Sequence, residues 1–266
     1  MADESAMGAM PHPLAPSPSL MERGKRAPTD DRISVVICTI GPLLNLLTYI
    51  ILVFVILHMF NKAPMPLDPI LVINAYAQGI FPMADRSGKI SWYAPDPRAI
   101  LEHENLHVSR SLRATIRKGI YKVRMDTSFE KVMRYCAKRE ETWINEAFIT
   151  AYTQLHHAGL AHSVEAWKDG VLAGGLYGVS LGGAFMGESM FAHATDASKV
   201  CLVALVEHLK ARGFVLHDVQ FWTPHLATLG VTEISLRMYE RRLKEALRLE
   251  CTWGGMIGNR TQECLL

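Results

Sequence analysis

The alternation of hydrophobic and polar positions predicts a mixed α/β domain after residue 65. Apolar side chains recur at helical spacing over 145–157 and 196–212. Three apolar stretches within 161–191 alternate as strands around glycine-containing turns, and a further strand follows at 214–222. A strand, a helix and a strand joined by short links predict a right-handed crossover onto a parallel pair. The expected fold class is α+β, an antiparallel meander joined to one α/β crossover, with turns and short strands over 79–101 and two further helices at 70–78 and 235–249.

The residues before 65 follow a different pattern. Residues 1–32 are rich in Pro, Ala, Ser and Met without apolar periodicity, which predicts disorder. Residues 33–60 carry no charged side chain, and this run exceeds the ~20 residues that cross a bilayer. Two interpretations stay open: the run is a membrane anchor, or natural translation begins at Met65 and the preceding residues are upstream sequence.

Composition and charge restrict the function classes. Hydrophobic residues make up 49% of the 266 positions and charged residues 20%, enough apolar sequence for a packed core. The formal net charge of +2 excludes a polybasic nucleic-acid binder of the histone kind. Basic residues nevertheless outnumber acidic ones over 98–139, which is typical of either a solvated helix face or a phosphate-contacting surface. The five cysteines form no C-x-x-C pair, so a disulfide framework or structural zinc site is not expected.

Candidate chemistry lies on two of the predicted strands. Because side chains alternate along a strand, Asp218 and Gln220 point to the same face. Glu188 is another carboxylate in an apolar run, on the strand that precedes the crossover, and ligands gather near such junctions. An ordinary polar pair that satisfies loop backbone groups is the alternative. Two acids and an amide suit the binding and deprotonation of an amine better than the activation of a hydroxyl.

Other motifs in the sequence are weaker indications of function than these three residues. Gly178 to Gly182 fits G-x-S-x-G around Ser180, but it lies between two predicted strands, so a hairpin is favoured over a serine nucleophile. His156, His157 and His162 lack the spacing of a zinc site, and packing or helix-end roles are favoured. No P-loop or G-x-G-x-x-G occurs. No metal or nucleotide cofactor is expected.

Several segments together resemble a known family. In order, the motifs include GIFPM at 79–83, SWYAPDPRAIL at 91–101, GESMF at 187–191, HDVQ at 217–220 and HLATLGVTEI at 225–234. This order is similar to that of the leucyl/phenylalanyl-tRNA–protein transferases, over about residues 67–249. The resemblance implies a small N-terminal domain at 65–96, a GNAT-like catalytic domain at 97–250 and a tail at 251–266.

The resemblance also implies an activity. Such an enzyme moves Leu, Phe or Met from aminoacyl-tRNA to the N-terminal Lys or Arg of a protein and marks that protein for degradation, without a cofactor. Aminoacyl-tRNA implies a cytoplasmic catalytic domain, whether or not residues 33–60 anchor the chain in a membrane. The alternative is a membrane-associated GNAT-like transferase that uses another amine acceptor, such as a cell-wall peptide.

The family's functional residues carry over to particular positions. Asp218 and Gln220 match its catalytic pair, in which the acid polarises the amide, and Glu188 matches its substrate-placing acid. The amide is a poor base, so we expect Gln220 to position the amine while Asp218, water or the leaving ribose hydroxyl carries the proton. Met83 stands where Trp is common, Leu205 and Leu209 where aromatics occur, and His217 where an aliphatic is usual. The implied substrate-binding residues are Trp143, Leu176, Phe185, Leu205, Leu209 and Met83, and the implied tRNA contacts are Arg110, Arg113, Arg117 and Lys118, with support from helix 235–249.

Overall fold

A computed structural model describes residues 25–26 and 67–254. The predicted disorder of residues 1–32, apart from Lys25 and Arg26, and the hydrophobic segment at 33–60 lie outside these residues. Among residues 67–254, no helix combines the length and the hydropathy needed to cross a membrane.

The strands cover most of the predicted sheet positions. Those at 161–191 and 214–222 are confirmed in number and order, and short strands occur over 79–101 as predicted. The strands at 122–125 and 232–234 were not predicted. In the described part of the chain the strands are β1 Lys25–Arg26, β2 Phe81–Ala84, β3 Ile90–Ala94, β4 Arg98–Ile100, β5 Lys122–Met125, β6 Ala161–Lys168, β7 Val171–Leu181, β8 Ala184–Ala192, β9 Leu216–Gln220 and β10 Thr232–Ile234.

The helices begin at recognisable caps. The Asp68 carboxylate accepts from the Ile70 N–H at the start of the first helix, and the Asn145 side chain caps the fourth. Asp196 occupies the N-cap position of the helix that begins at Ala197, but its side chain does not cap the helix and instead pairs with Lys199. In the described part the helices are α1 Pro69–Tyr76, α2 Arg110–Arg117, α3 Phe129–Ala137, α4 Glu146–His157, α5 Ala197–Ala211, α6 Pro224–Ala227 and α7 Leu236–Ala246, with a 3-10 turn at His103–Asn105.

A seven-stranded sheet forms the centre, in the order β10-β4-β9-β8-β7-β6-β5. Strands β5 to β8 form an antiparallel meander, and α5 connects β8 to its parallel neighbour β9, as predicted. The parallel register covers only Ala184–Met186 against Leu216–Asp218. The pairing between the two strands therefore ends just before Glu188 and Gln220, although β8 itself continues to Ala192.

Helices cover both faces of this sheet. α5 packs on β6, β7 and β8, whereas α3 and α4 pack on the opposite side. Residues of α1 and β2, among them Tyr76 and Phe81, join the same hydrophobic cluster as α3 and α4. At the other end Trp253 is buried and its ring stacks on Phe185 at 5.5 Å. The packed region therefore continues at least to Gly254, past the boundary expected at 250.

Candidate active site

Glu188 is held in the interior by an irregularity between β7 and β8. The register shifts between Tyr177 and Gly178, which leaves Glu188 as the extra residue of a β-bulge. The side chain is 2% exposed. Its Oε1 accepts hydrogen bonds from Gln220 Nε2 at 2.8 Å and from the Tyr76 hydroxyl at 2.5 Å. The expected convergence of this acid with the amide of β9 is present in the structure.

The environment of Glu188 changes its acidity. Burial raises the pKa of the carboxyl from 4.5 to about 7, although the hydrogen bonds from Tyr76 and Gln220 lower it in part. The carboxyl therefore changes its protonation state near neutral pH. A group with such a pKa is suited to general acid–base catalysis at physiological pH.

Asp218 is completely buried, and both of its carboxylate oxygens are occupied. Arg98 donates from Nε to Oδ1 at 2.9 Å and from Nη2 to Oδ2 at 2.6 Å. The Tyr239 hydroxyl donates to Oδ2 at 2.8 Å, and the backbone N–H of Gln220 donates to Oδ1 at 2.9 Å. Each carboxylate oxygen thus already accepts two hydrogen bonds. Its geometry fits a role in fixing Gln220.

Gln220 ends β9 in an unusual conformation. Its φ of +64° is in the left-handed region, which few residues other than glycine adopt. Strained backbone of this kind persists where surrounding contacts hold it, often at functional sites. Here Asp218 holds the backbone N–H and Glu188 holds the side-chain amide. Asp218 thus contacts the backbone of Gln220, whereas the family resemblance implies that it polarises the amide.

Two tyrosines extend the network behind Glu188. The Tyr152 hydroxyl of α4 lies 2.7 Å from the Tyr76 hydroxyl of α1, which in turn donates to Glu188. Burial and the nearby Glu188 charge raise the pKa of Tyr76 well above its ordinary value, so the hydroxyl stays protonated. Sequence reasoning missed both tyrosines, and also Arg98 and Tyr239. Of these residues only Arg98 could have been suspected from the sequence, because it is the one charged residue of the otherwise apolar strand β4.

An apolar cavity lies on the α5 side of the sheet, next to the polar network. Leu176 of β7 and Leu205 of α5 line it, as the resemblance implies, together with His217 of β9. Gly187 and Val219 also line it, and each immediately precedes a residue of the polar pair. The cavity therefore reaches the backbone next to Glu188 and Gln220, from the face of β9 that carries His217 and Val219.

The cavity is small in this structure. Its volume is about 10 Å³, roughly the space of one water molecule. A leucyl or phenylalanyl side chain would have to displace lining side chains to enter. Phe185 and Leu209, also implied as substrate-binding residues, are buried in the same hydrophobic cluster but do not line the cavity.

Trp143 and Met83 lie in the hydrophobic cluster on the opposite face. Trp143 is 5% exposed, and the Arg139 guanidinium carbon lies 5.0 Å from its ring centroid. Met83 is 3% exposed. The family resemblance implies that Trp143 stacks on the terminal adenosine of tRNA. Its ring is buried here, and an adenine could stack on it only after Arg139 moved.

The predicted tRNA contacts are exposed cations on one helix, but the basic stretch as a whole is not a surface. Arg98 is completely buried against Asp218. Arg134 pairs with two glutamates. The interpretation of 98–139 as a phosphate-contacting surface is wrong for Arg98. α2 and the residue after it carry Arg110, Arg113, Arg117 and Lys118, all exposed.

The serine motif forms the predicted hairpin. Ser180 lies in β7, just before the turn to β8, and is 8% exposed. In the described part of the chain no histidine is hydrogen-bonded to it. The strand-to-helix turn that a nucleophilic serine requires is absent at this position.

The histidine group differs from the one that the sequence brings together. Asp126, His156 and His162 place possible ligand atoms within 4.8 Å of one another, and His157 is not among them. His162 Nδ1 lies 2.9 Å from Asp126 Oδ2, and His156 Nδ1 lies 2.8 Å from the Ala161 carbonyl. The first contact joins the turn before α3 to β6, and the second joins the end of α4 to the start of β6.

A buried acid and an amide beside an apolar cavity, in a mixed α/β fold, define an enzyme suited to acyl transfer onto an amine. Comparison with known proteins identifies the family. Residues 100–244 match the model described as leucyl/phenylalanyl-tRNA protein transferase, and residues 65–96 match that of its N-terminal domain. The chain belongs to the leucyl/phenylalanyl-tRNA–protein transferase family, and the family resemblance is confirmed.

Relatives of this family match most of the described chain. Leucyl/phenylalanyl-tRNA–protein transferases from Rubrobacter xylanophilus and Herpetosiphon aurantiacus are each 57% identical, over 70% of this chain and 98% of their own length. Among solved structures, a GCN5-related N-acetyltransferase-like protein from Streptococcus suis aligns at a TM-score of 0.32 and 11% identity, over 62% of this chain and 63% of its own.

Proposed function

We propose that this protein transfers Leu or Phe from aminoacyl-tRNA to the N-terminal Lys or Arg of an acceptor protein. Membership of the family supports this reaction, and the observation that carries it is the hydrogen-bonded Glu188–Gln220 pair beside the apolar cavity. We place the reaction in the cytoplasm because aminoacyl-tRNA is found there, and we take its product to be a protein marked for degradation.

The chemistry is aminolysis of an activated ester. The acceptor's amine forms a C–N bond to the aminoacyl carbonyl carbon, and the bond from that carbon to the ribose oxygen breaks. The amine proton passes to Glu188, whose pKa of about 7 suits it as the base, and then to the leaving ribose oxygen. Gln220 positions the amine, and Asp218 with Arg98 keeps Gln220 in its left-handed conformation.

Substrate recognition divides between the two sides of the network. The cavity lined by Leu176 and Leu205 accepts the aminoacyl side chain after its walls open. Among apolar side chains one methylene changes binding by only about 1–3 kcal/mol, so relaxed selection among Leu, Phe and Met is expected. The exposed cations of α2 bind tRNA phosphates without reading bases.

The test is transfer of Leu from charged tRNA to matched peptides that begin with Arg, Lys or Ala. We expect product with Arg and Lys and none with Ala. Transfer to Ala but not Arg would favour another amine acceptor and contradict the proposal. The variants Glu188→Gln and Gln220→Ala should lose most of the activity. Ser180→Ala is the matched control and should retain it.

A further inference from the structure

His217 is a buried polar side chain that the proposed chemistry does not use. It lies in β9, is 2% exposed and points away from Asp218, beside the ring of Phe185 at 5.7 Å. Its Nδ1 is buried and has no hydrogen-bond partner among the described residues. Because a buried polar atom without a partner is unfavourable, each such atom calls for a physical explanation.

A second unpaired nitrogen lies nearby. The Nε2 of His103 is also buried without a partner in the described chain, and the two rings are 6.1 Å apart between centroids. Burial lowers the pKa of His217 to about 3, so its ring is neutral at every pH at which the protein would act. A neutral imidazole presents one N–H donor and one lone-pair acceptor. The two histidines thus offer unused hydrogen-bonding capacity in an apolar region.

His217 lines the cavity next to the polar pair, together with Leu176, Leu205 and Val219. His217 and Gln220 lie three residues apart on β9, so their side chains leave opposite faces of the strand. The cavity that His217 lines is the one that we propose for the aminoacyl side chain. An aminoacyl side chain that occupies this cavity therefore contacts His217.

We propose that His217 forms a polar floor in the aminoacyl pocket, which admits aromatic side chains with a hydrogen-bonding tip, tyrosine above all, alongside phenylalanine. This inference rests on the proposed function. A phenolic hydroxyl both donates and accepts, so it can pair with the unpaired nitrogen in either tautomer. It would occupy the one-water space of the cavity. Phenylalanine leaves the nitrogen unpaired.

The expected discrimination between tyrosine and phenylalanine can be estimated from the selectivity of hydrophobic pockets in enzymes generally. A purely hydrophobic pocket rejects a substrate that adds only a hydroxyl by about 100-fold. With a partner for the hydroxyl, we expect kcat/KM for tyrosyl and phenylalanyl donors to agree within about tenfold. Replacing His217 by an aliphatic residue should restore the rejection of tyrosine.

The experiment uses the full chain, one tRNA charged with either Phe or Tyr, and a peptide that begins with Arg. In His217→Ile, transfer of Phe should rise and transfer of Tyr should fall, so that the Tyr/Phe ratio drops about 100-fold. In His217→Gln, which keeps a hydrogen-bonding tip, the ratio should stay within about tenfold of the wild type. Because transfer of Phe rises while transfer of Tyr falls, the result distinguishes a change in substrate selection from general damage to the enzyme, which would lower both transfers.

An unchanged ratio in His217→Ile, or a parallel loss with both donors, overturns the inference. Thermal unfolding gives a second reading. Because Nδ1 has no partner to lose, His217→Ile should melt at or above the wild-type temperature, and failure of this variant to fold would show that the nitrogen is paired. Absence of transfer from Leu, Phe and Tyr donors by the wild type would instead contradict the proposed function itself.

Discussion

At the residue scale, the pair of Arg98 and Asp218 fixes the polar network. Both side chains are completely inaccessible to solvent. The Arg98 guanidinium also donates to the Gly79 carbonyl at 3.0 Å and lies over the Tyr239 ring at 4.3 Å. A buried ion pair with this many additional contacts sets geometry more than it adds stability. The position of the Gln220 backbone depends on this pair.

Removal of Arg98 should therefore be severe. Arg98→Met removes the cation that pairs with the buried Asp218 carboxylate, and we expect the free energy of unfolding to fall by about 3–5 kcal/mol. Urea denaturation measures this change. The exposed pair of Arg86 and Glu141 supplies the control, since Arg86→Ala should change stability by less than about 1 kcal/mol. Equal effects of the two substitutions would contradict the structural role of Arg98.

The raised pKa of Glu188 predicts a pH profile. Below pH 7 the carboxyl is protonated and cannot accept the amine proton, so kcat/KM should rise through about pH 7. The acceptor's α-amino group adds an inflection near 7.7–8.0, roughly its ordinary range. In Glu188→Gln the lower inflection should vanish and the upper one remain. A wild-type profile with the upper inflection alone would remove Glu188 as the base.

The same carboxyl predicts how stability depends on pH. Its pKa is about 7 in the folded protein, against 4.5 as the ordinary value, so the folded state binds the proton more tightly. The free energy of unfolding should therefore fall as pH rises from about 4.5 to 7. Urea denaturation across this range should give a flatter dependence for Glu188→Gln than for the wild type. Parallel curves would contradict the shift.

At the scale of elements, the β7–β8 pair places Glu188. Gly178 lies at the register shift, where a Cβ atom would come within 2.4 Å of the Met186 carbonyl oxygen and 2.5 Å of the Phe185 ring. Only glycine lets the two strands approach this closely. The bulge, and with it the direction of the Glu188 side chain, depends on this close approach.

Gly178→Ala should disturb both stability and catalysis. Because β8 must shift to accommodate the methyl group, we expect a loss of about 1–3 kcal/mol in unfolding free energy and a fall in kcat. Val171→Ala, at an exposed position of the same strand, is the control and should change stability by about 0.5 kcal/mol at most. Thermal unfolding and steady-state kinetics measure the two effects. A stable Gly178→Ala protein with full kcat would show that the bulge is not required.

At the scale of the whole molecule, net charge and local charge differ. The chain is nearly neutral, yet α2 exposes cations while its Leu112 and Ile116 pack on α5. Arg98, close in sequence, contributes nothing to this surface because it is buried. In the proposed function, the exposed cations of α2 supply the electrostatic attraction for tRNA.

Binding of tRNA should weaken steeply with salt. Each phosphate that the protein neutralises contributes about 0.7–0.9 to the steepness of log affinity against log salt. Alanine at all four α2 cations (Arg110, Arg113, Arg117 and Lys118) should therefore reduce the slope by roughly 3. Lys168→Ala, at an exposed position by the β6–β7 turn, is the control and should leave the slope unchanged. A salt-independent affinity of the wild type would contradict binding through phosphates.

The order of the elements could be predicted from the sequence because it depends on local periodicity. Strand alternation from 161 to 191 and helical spacing over 197–211 specify the meander and the crossover. The same alternation correctly places Asp218 on the face opposite His217. The position of Glu188 on the strand before the crossover also predicted that it lies near Asp218 and Gln220.

Other features depended on tertiary structure alone. Arg98 lies in a charged stretch of sequence, but its partner is 120 residues away, and only the antiparallel pairing of β4 with β9 brings them together. Tyr76 reaches Glu188 across 112 residues because α1 packs on the far side of the sheet. Periodicity determines which face a side chain occupies. What it meets there depends on long-range packing, which decides where a cation is buried and where a carboxyl keeps its proton.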